Sequence, residues 1–147
     1  MLKVLFVCVH NSARSQVAEA FLNKLGGEHF EAESAGIEEG NLNPLAVKVM
    51  DEIGIDISKN KTDSVFDFYR KGKSYSIVVK VCDEINGQRC PIFPSALHTL
   101  SWNIEDPADF RGTDDEKLQE TRRVRDEIKD RVEQLISQYR EYSITRR

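Results

Sequence analysis

Residues 2–25 read LKVLFVCVHNSARSQVAEAFLNKL, and the changes of pattern inside that stretch decide the fold. Leu2 to Val7 is apolar and β-branched enough for a buried strand. Ser15 to Leu25 then sets Val17, Ala18, Phe21, Leu22 and Leu25 at helical spacing before Gly26-Gly27 ends the run. Between them runs a polar stretch from Cys8 to Arg14, with five residues separating a thiol from a guanidinium. A strand, a short loop and a helix in that order open an α/β unit.

The pattern continues outward from there. A second short strand is predicted at Phe30 to Ser34, and Asn43-Pro44 opens a second helix with Leu45, Val49, Met50 and Ile53 on one face and Gly54 beyond its end. Ser64 to Arg70 suits a short helix. Tyr75 to Val81 reads as a strand ending at Cys82, its continuous Ile77-Val78-Val79 run suited to burial on both faces of a parallel sheet. His98 to Ile104 is the fourth strand. Asp114 to Tyr139 is a long helix whose apolar stripe is Leu118, Val124, Ile128, Val132, Leu135, Ile136 and Tyr139, with the residues after it fraying. Such alternation predicts an α/β fold: a single small doubly wound domain over residues 1–147, with a four-stranded parallel sheet flanked by helices. In such sheets ligands sit beyond the carboxyl ends of the strands, where Cys8 and Cys82 both fall.

A chain of 147 residues suits one core, and 39% hydrophobic with 31% charged residues suits a soluble protein. No apolar run approaches the roughly 20 residues of a membrane helix, so no membrane partner is expected. The run Val4 to Val7 is too short for a signal peptide, and three cysteines without such a leader place the protein in the reducing cytoplasm. A net charge of −4 argues against nucleic acid as a partner. An anion bound here must therefore meet a local positive site.

The loop from Cys8 to Arg14 can supply one. The backbone N–H groups of Val9, His10, Asn11, Ser12 and Ala13 and the free helix N-terminus can wrap a tetrahedral oxyanion while Arg14 grips two oxygens in a fork. Cys8 then lies under the central atom. A free thiol is only about 3% ionised at pH 7, and a helix N-terminus with a nearby arginine raises that fraction, so the field that binds the oxyanion also activates the nucleophile. Ser15 is placed to donate a hydrogen bond to the sulfur. Asn11 suits a left-handed backbone position. Taken alone, a cysteine and an arginine at this spacing are a buried thiol and a surface residue; the strand-to-helix placement and the polar filling decide for the oxyanion loop.

The sequence Val7-Cys8-Val9-His10-Asn11-Ser12-Ala13-Arg14-Ser15-Gln16 resembles the signature of low-molecular-weight tyrosine phosphatases and the arsenate reductases sharing their fold, and the resemblance extends over nearly the whole chain. It implies that Asp106, which precedes Pro107 after the fourth strand, is a general acid protonating the leaving oxygen. Read by itself, Asp106-Pro107 is equally a turn former, with Glu105 and Asp109 close by.

Two chemistries fit this resemblance. A phosphatase needs one cysteine, whereas reducing As(V) to As(III) takes two electrons and a resolving thiol. Cys82 and Cys90 lie eight positions apart across a polar stretch and can readily meet in a disulfide. The implied relay is attack of Cys8 on arsenate, attack of Cys82 on Cys8 with release of arsenite, and attack of Cys90 on Cys82. Thioredoxin, or another thiol donor such as glutaredoxin with glutathione, would reset it. Thioredoxin-coupled relatives also hold potassium through positions matching Asn11, Glu19, Ser34 and Asp63; no tightly bound cofactor is otherwise expected. A zinc site with His98 lacks the paired spacing of structural zinc, and His10 and His29 are no better placed.

The chain departs from the thioredoxin-coupled pattern at Val9, His10, Ala13 and Lys80, and Cys82 and Cys90 stand one residue further apart than that pattern. The alternative is a phosphatase hydrolysing phosphate esters through a phosphocysteine. Against it, Ala108-Asp109 replaces the aromatic residues that line the phosphotyrosine cleft in phosphatases. A non-enzymatic oxyanion or redox sensor is a third reading.

Overall fold

The computed structural model describes residues 1–38, 40–82 and 96–145. Its elements follow the predicted alternation. Strand β1 (Leu2–Cys8) leads into helix α1 (Arg14–Leu25), then β2 (Phe30–Gly36), α2 (Pro44–Asp51), α3 (Val65–Arg70), β3 (Tyr75–Cys82), β4 (Ala96–Asn103) and α4 (Asp114–Thr145). Short 3-10 turns sit at Gly27–His29 and Pro107–Asp109. Every strand pairing is parallel and the order across the sheet is β2-β1-β3-β4.

Period-two alternation in β1 sorts its side chains onto two faces. Val4, Phe6 and Cys8 join a large cluster with Val17, Phe21 and Leu22 of α1, Ala46 and Met50 of α2, and Val124, Ile128, Val132 and Leu135 of α4. Leu5 and Val7 point the other way, into a smaller cluster with Val65 and Phe68 of α3 and Val78 of β3. Burial on both faces explains why β1 and β3 read as unbroken apolar runs. Edge strand β4 instead alternates between half-buried and exposed until Trp102, which packs on Phe6 with ring centroids 5.5 Å apart.

Side-chain caps start two of the helices. Asn43 accepts from the Leu45 N–H ahead of Pro44, and Ser64 accepts from the Phe66 N–H. α2 ends at Asp51, before Ile53, which is 40% exposed and does not belong to the buried face predicted for it; that face is Ala46, Val49 and Met50. β2 runs to Gly36 rather than Ser34 because β1 continues to offer partners, Val7 to Ala35 and Cys8 to Gly36. β4 begins at Ala96 and ends at Asn103, a shift towards the N-terminus from the expected His98 to Ile104, set by pairing with Tyr75 through Cys82. α4 continues to Thr145, past the expected Tyr139, since no Gly or Pro follows to stop it. Among the described residues no helix is long and apolar enough to cross a membrane.

The strand order positions the site. From β1 the chain goes to β2 on one side, and β3 lies on the other, so the connections diverge at the carboxyl end of β1 and leave a crevice there. Residues 9–13 fill the floor of that crevice. Because α4 packs on α1 and α2 and adds its apolar stripe to the larger cluster, Ile128→Ala, at a side chain with no exposure, is expected to cost about 2–5 kcal/mol in urea unfolding, with the midpoint falling at an unchanged slope.

Candidate active site

Cys8 is a buried free thiol at the last position of β1. Its sulfur lies 2.8 Å from Ser15 Oγ, and the Asn11 N–H donates to it at 3.2 Å. Asn11 has φ 55°, the left-handed conformation expected of it, which turns its N–H back toward Cys8. Its carboxamide is oriented without ambiguity. Oδ1 accepts from the backbone N–H of Asp63 at 2.9 Å, so Nδ2 is the atom that donates to Ser15 Oγ, at 2.7 Å. Ser15 Oγ thus receives an Asn11 hydrogen on one side and lies against the Cys8 sulfur on the other. The Cys8 sulfur therefore lies within hydrogen-bond distance of both the Asn11 N–H and the Ser15 hydroxyl.

The loop's outward carbonyls are bonded elsewhere. Ile37 N–H donates to Cys8 O at 3.2 Å, Glu38 N–H to Val9 O at 2.8 Å and Asn43 N–H to Ser12 O at 2.9 Å. The chain from β2 to α2 therefore wraps the loop from outside. Gly36 permits the approach: a Cβ there would stand 2.7 Å from His10 C and 2.8 Å from Asn11 N. Gly40 is as tight against His10, at 2.7 Å from its Cβ. His10 itself points outward, 3.8 Å from Glu38.

Arg14 closes the loop and is 2% exposed. Its Nη1 donates to Ile104 O at 3.0 Å and its Nη2 to Asp106 Oδ2 at 3.1 Å. The other carboxylate oxygen of Asp106 accepts from the Ala108 N–H at 3.0 Å, capping the Pro107–Asp109 turn. Asp106 is thus both turn former and partner of the loop arginine, bringing together residues 92 positions apart.

Cys82 is buried at the end of β3, with its sulfur 4.0 Å from Trp102 O. Val7 pairs with Lys80, so Cys8 stands level with Val81, and Cys82 falls on the opposite pleat from Cys8. The Ile104 N–H donates to the Cys82 carbonyl at 2.8 Å, so one residue, Ile104, links Cys82 to the carbonyl that Arg14 holds. Cys90 lies outside the described residues.

Of the residues expected to hold potassium, Ser34 Oγ donates to Glu19 Oε1 at 3.0 Å and the Asp63 N–H reaches Asn11. Burial raises the pKa of Glu19 above its ordinary 4.5, and the carboxylates of Asp63 and Glu33 add to this against the opposing Ser34 hydrogen bond. A half-buried carboxylate near other acids is a fitting place for a cation.

Residue patterns did not single out Gly36, Gly40 or the contacts of Gln16, whose Nε2 donates to Asn11 Oδ1 and Lys61 O. The one available signal was a glycine ending the second strand, next to the strand that ends in Cys8.

A model of the family described as low molecular weight phosphotyrosine protein phosphatase matches residues 3–144. The chain is 42% identical over 130 residues to an arsenate reductase of Halalkalibacterium halodurans, covering 88% of this chain and 91% of that protein. It is 36% identical over 137 residues to the glutaredoxin arsenate reductase of Synechocystis sp., covering 93% and 98%. Among solved structures, an arsenate reductase in the phosphate binding state superposes with a TM-score of 0.77 at 35% identity, over 94% of this chain and 98% of that one.

Gly36→Ala should displace the loop and weaken binding of inorganic phosphate at least about tenfold by calorimetric titration, while circular dichroism stays native. Glu19 has a raised pKa in the fold, so its contribution to stability is present below the ordinary carboxylate range and is lost as pH rises through the raised value. Glu19→Gln keeps an acceptor for Ser34; in potassium-free buffer its melting temperature relative to the parent protein is therefore expected to improve between pH 4 and pH 7.

Proposed function

The chain belongs to the low molecular weight phosphotyrosine protein phosphatase family, and on that premise we propose that it reduces arsenate to arsenite with Cys8 as nucleophile. The observation that carries the reading is the Cys8 sulfur, hydrogen-bonded to the Asn11 N–H and the Ser15 hydroxyl at the floor of a loop closed by Arg14. The cysteine at the carboxyl end of the neighbouring strand favours reduction over ester hydrolysis, as do the names of the relatives.

The incoming oxyanion and Asp106 compete for Arg14, since both offer oxygens to the same guanidinium. Once the oxyanion takes Arg14 and the loop N–H groups, Asp106 is released to carry a proton to the leaving oxygen. The Cys8 thiolate forms an S–As bond as an As–O bond breaks and that oxygen departs as water. Cys82, as thiolate, then attacks the Cys8 sulfur: an S–S bond forms, the S–As bond breaks, and its electron pair leaves with arsenic as arsenite. Cys90 attacks Cys82 and frees the Cys8 thiolate, leaving a Cys82–Cys90 disulfide. An external dithiol returns the two electrons; thioredoxin and glutaredoxin are the donors proposed.

Asn11, Glu19, Ser34 and Asp63 would hold potassium, whose charge offsets the crowding of acids around Glu19 and steadies the Asn11 side of the loop.

The test is NADPH consumption with thioredoxin and thioredoxin reductase, or with glutaredoxin, glutathione and glutathione reductase, alongside p-nitrophenyl phosphate hydrolysis. Arsenate-dependent oxidation abolished by Cys8→Ser and reduced to at most a single turnover by Cys82→Ser is the expected result. Ester hydrolysis indifferent to Cys82→Ser and Cys90→Ser, with no arsenate-dependent oxidation, would instead make the protein a phosphatase. For the cation, potassium chloride but not choline chloride should raise the melting temperature by a few degrees, and Glu19→Gln should lose the effect.

A further inference from the structure

Beyond β4 the chain stays extended and its side chains alternate: Ile104 and Asp106 are 1% and 5% exposed, and Glu105 between them faces out. Both inward residues hold Arg14, one through its carbonyl and the other through its carboxylate. Glu105 is held from the opposite side. Arg123 of α4 donates from Nη2 to Glu105 Oε1 at 3.1 Å, across 18 positions of chain. The same guanidinium meets Glu120 Oε2 at 2.9 Å and Glu127 Oε2 at 3.9 Å, pairs of the kind that neighbouring turns of a helix make. Those two pairs stay within α4. Of the three, the link to Glu105 alone joins the helix to the segment that carries Asp106.

We propose that Arg123 is a positioning residue for Asp106: by fixing Glu105 against α4 it keeps segment 104–106, and with it the Asp106 carboxylate, seated on Arg14 until an oxyanion displaces it. The inference rests on reading the loop closed by Arg14 as the oxyanion site. Two other accounts compete with it, and they differ in sign. If Arg123 serves only the pairs within its own helix, Glu105→Gln does nothing to Asp106, because Glu120 and Glu127 still hold the guanidinium. If the two charges act only through their field, the variants diverge. Losing the positive charge of Arg123 then weakens anion binding and slows hydroxide-catalysed hydrogen exchange, whereas losing the negative charge of Glu105 does the reverse. A tether requires the same sign from both, since either substitution cuts the one link.

The side chains of Arg123 and Glu105 are 45% and 49% exposed, so Arg123→Gln and Glu105→Gln leave the packed core untouched. Exchange of the Ala108 N–H, which Asp106 Oδ1 accepts, is followed by NMR in the full-length isotope-labelled protein at fixed pH. It is expected to be roughly two- to fivefold faster in each variant, the range open to an exposed ion pair, with no further gain in the double variant. Inorganic phosphate, titrated calorimetrically as its sodium salt, should bind roughly two- to fivefold more tightly to both variants, because Asp106 then yields Arg14 more readily. Unchanged exchange or affinity in Glu105→Gln, or changes of opposite sign in the two variants, would overturn the proposal. Exchange needs no ligand, so a chain that binds no phosphate would fail the oxyanion reading and still decide the tether.

Discussion

A loop that presents its N–H groups to an anion must send its carbonyls the other way, and the rest of this structure depends on where those carbonyls find donors. Ile37, Glu38 and Asn43 provide them, in the connection between the second strand and the second helix. That connection can come close only because Gly36 and Gly40 carry no Cβ. The register of β2 against β1, which sets Gly36 beside Cys8, is therefore as much part of the site as the cysteine. A slip of one residue would put Ala35 against the loop and turn every β2 side chain to the wrong face.

The second constraint comes from the far edge of the sheet. Among the described residues Arg14 is the largest side chain with almost no exposure, and a guanidinium is retained at such depth only if its charge and its donors are answered. Ile104 O and Asp106 answer them from the end of β4, two strands away from β1. The parallel sheet makes this possible by bringing all strand ends to one edge. Packing of α4 against α1 and α2 closes the larger apolar cluster beside it.

Much of this was legible in the residues. Cys8 and Arg14 sit at a fixed spacing between a strand and a helix; the apolar run of β1 announced a buried strand, and the Ile77-Val78-Val79 run of β3 announced burial on both faces. The left-handed turn at Asn11 followed from its side chain. What escaped were contacts made by backbone groups or by residues far apart in sequence. The Asp63 N–H on Asn11 spans 52 positions and involves no side-chain type of its own, and Gln16 on a helix reads like any polar residue. Ile53 was misplaced because helical spacing continues past the point where the chain stops being helical. The length of α4 escaped because its polar last turns carry neither a stop signal nor an apolar stripe.

The pleat of β3 has a kinetic meaning for the proposed chemistry. Two cysteines whose Cβ atoms point to opposite sides of a sheet cannot join without moving the backbone, however near their α-carbons lie. Cys82 is further pinned through its carbonyl to Ile104, the residue whose own carbonyl Arg14 holds. The sheet thus stands as insulation between the two side chains. In the proposed relay the two sulfurs meet only if the end of β3 shifts, and such a shift would also disturb the residue whose carbonyl Arg14 holds. Thiol transfer and release of the anion would in this way be geared to a single residue, Ile104.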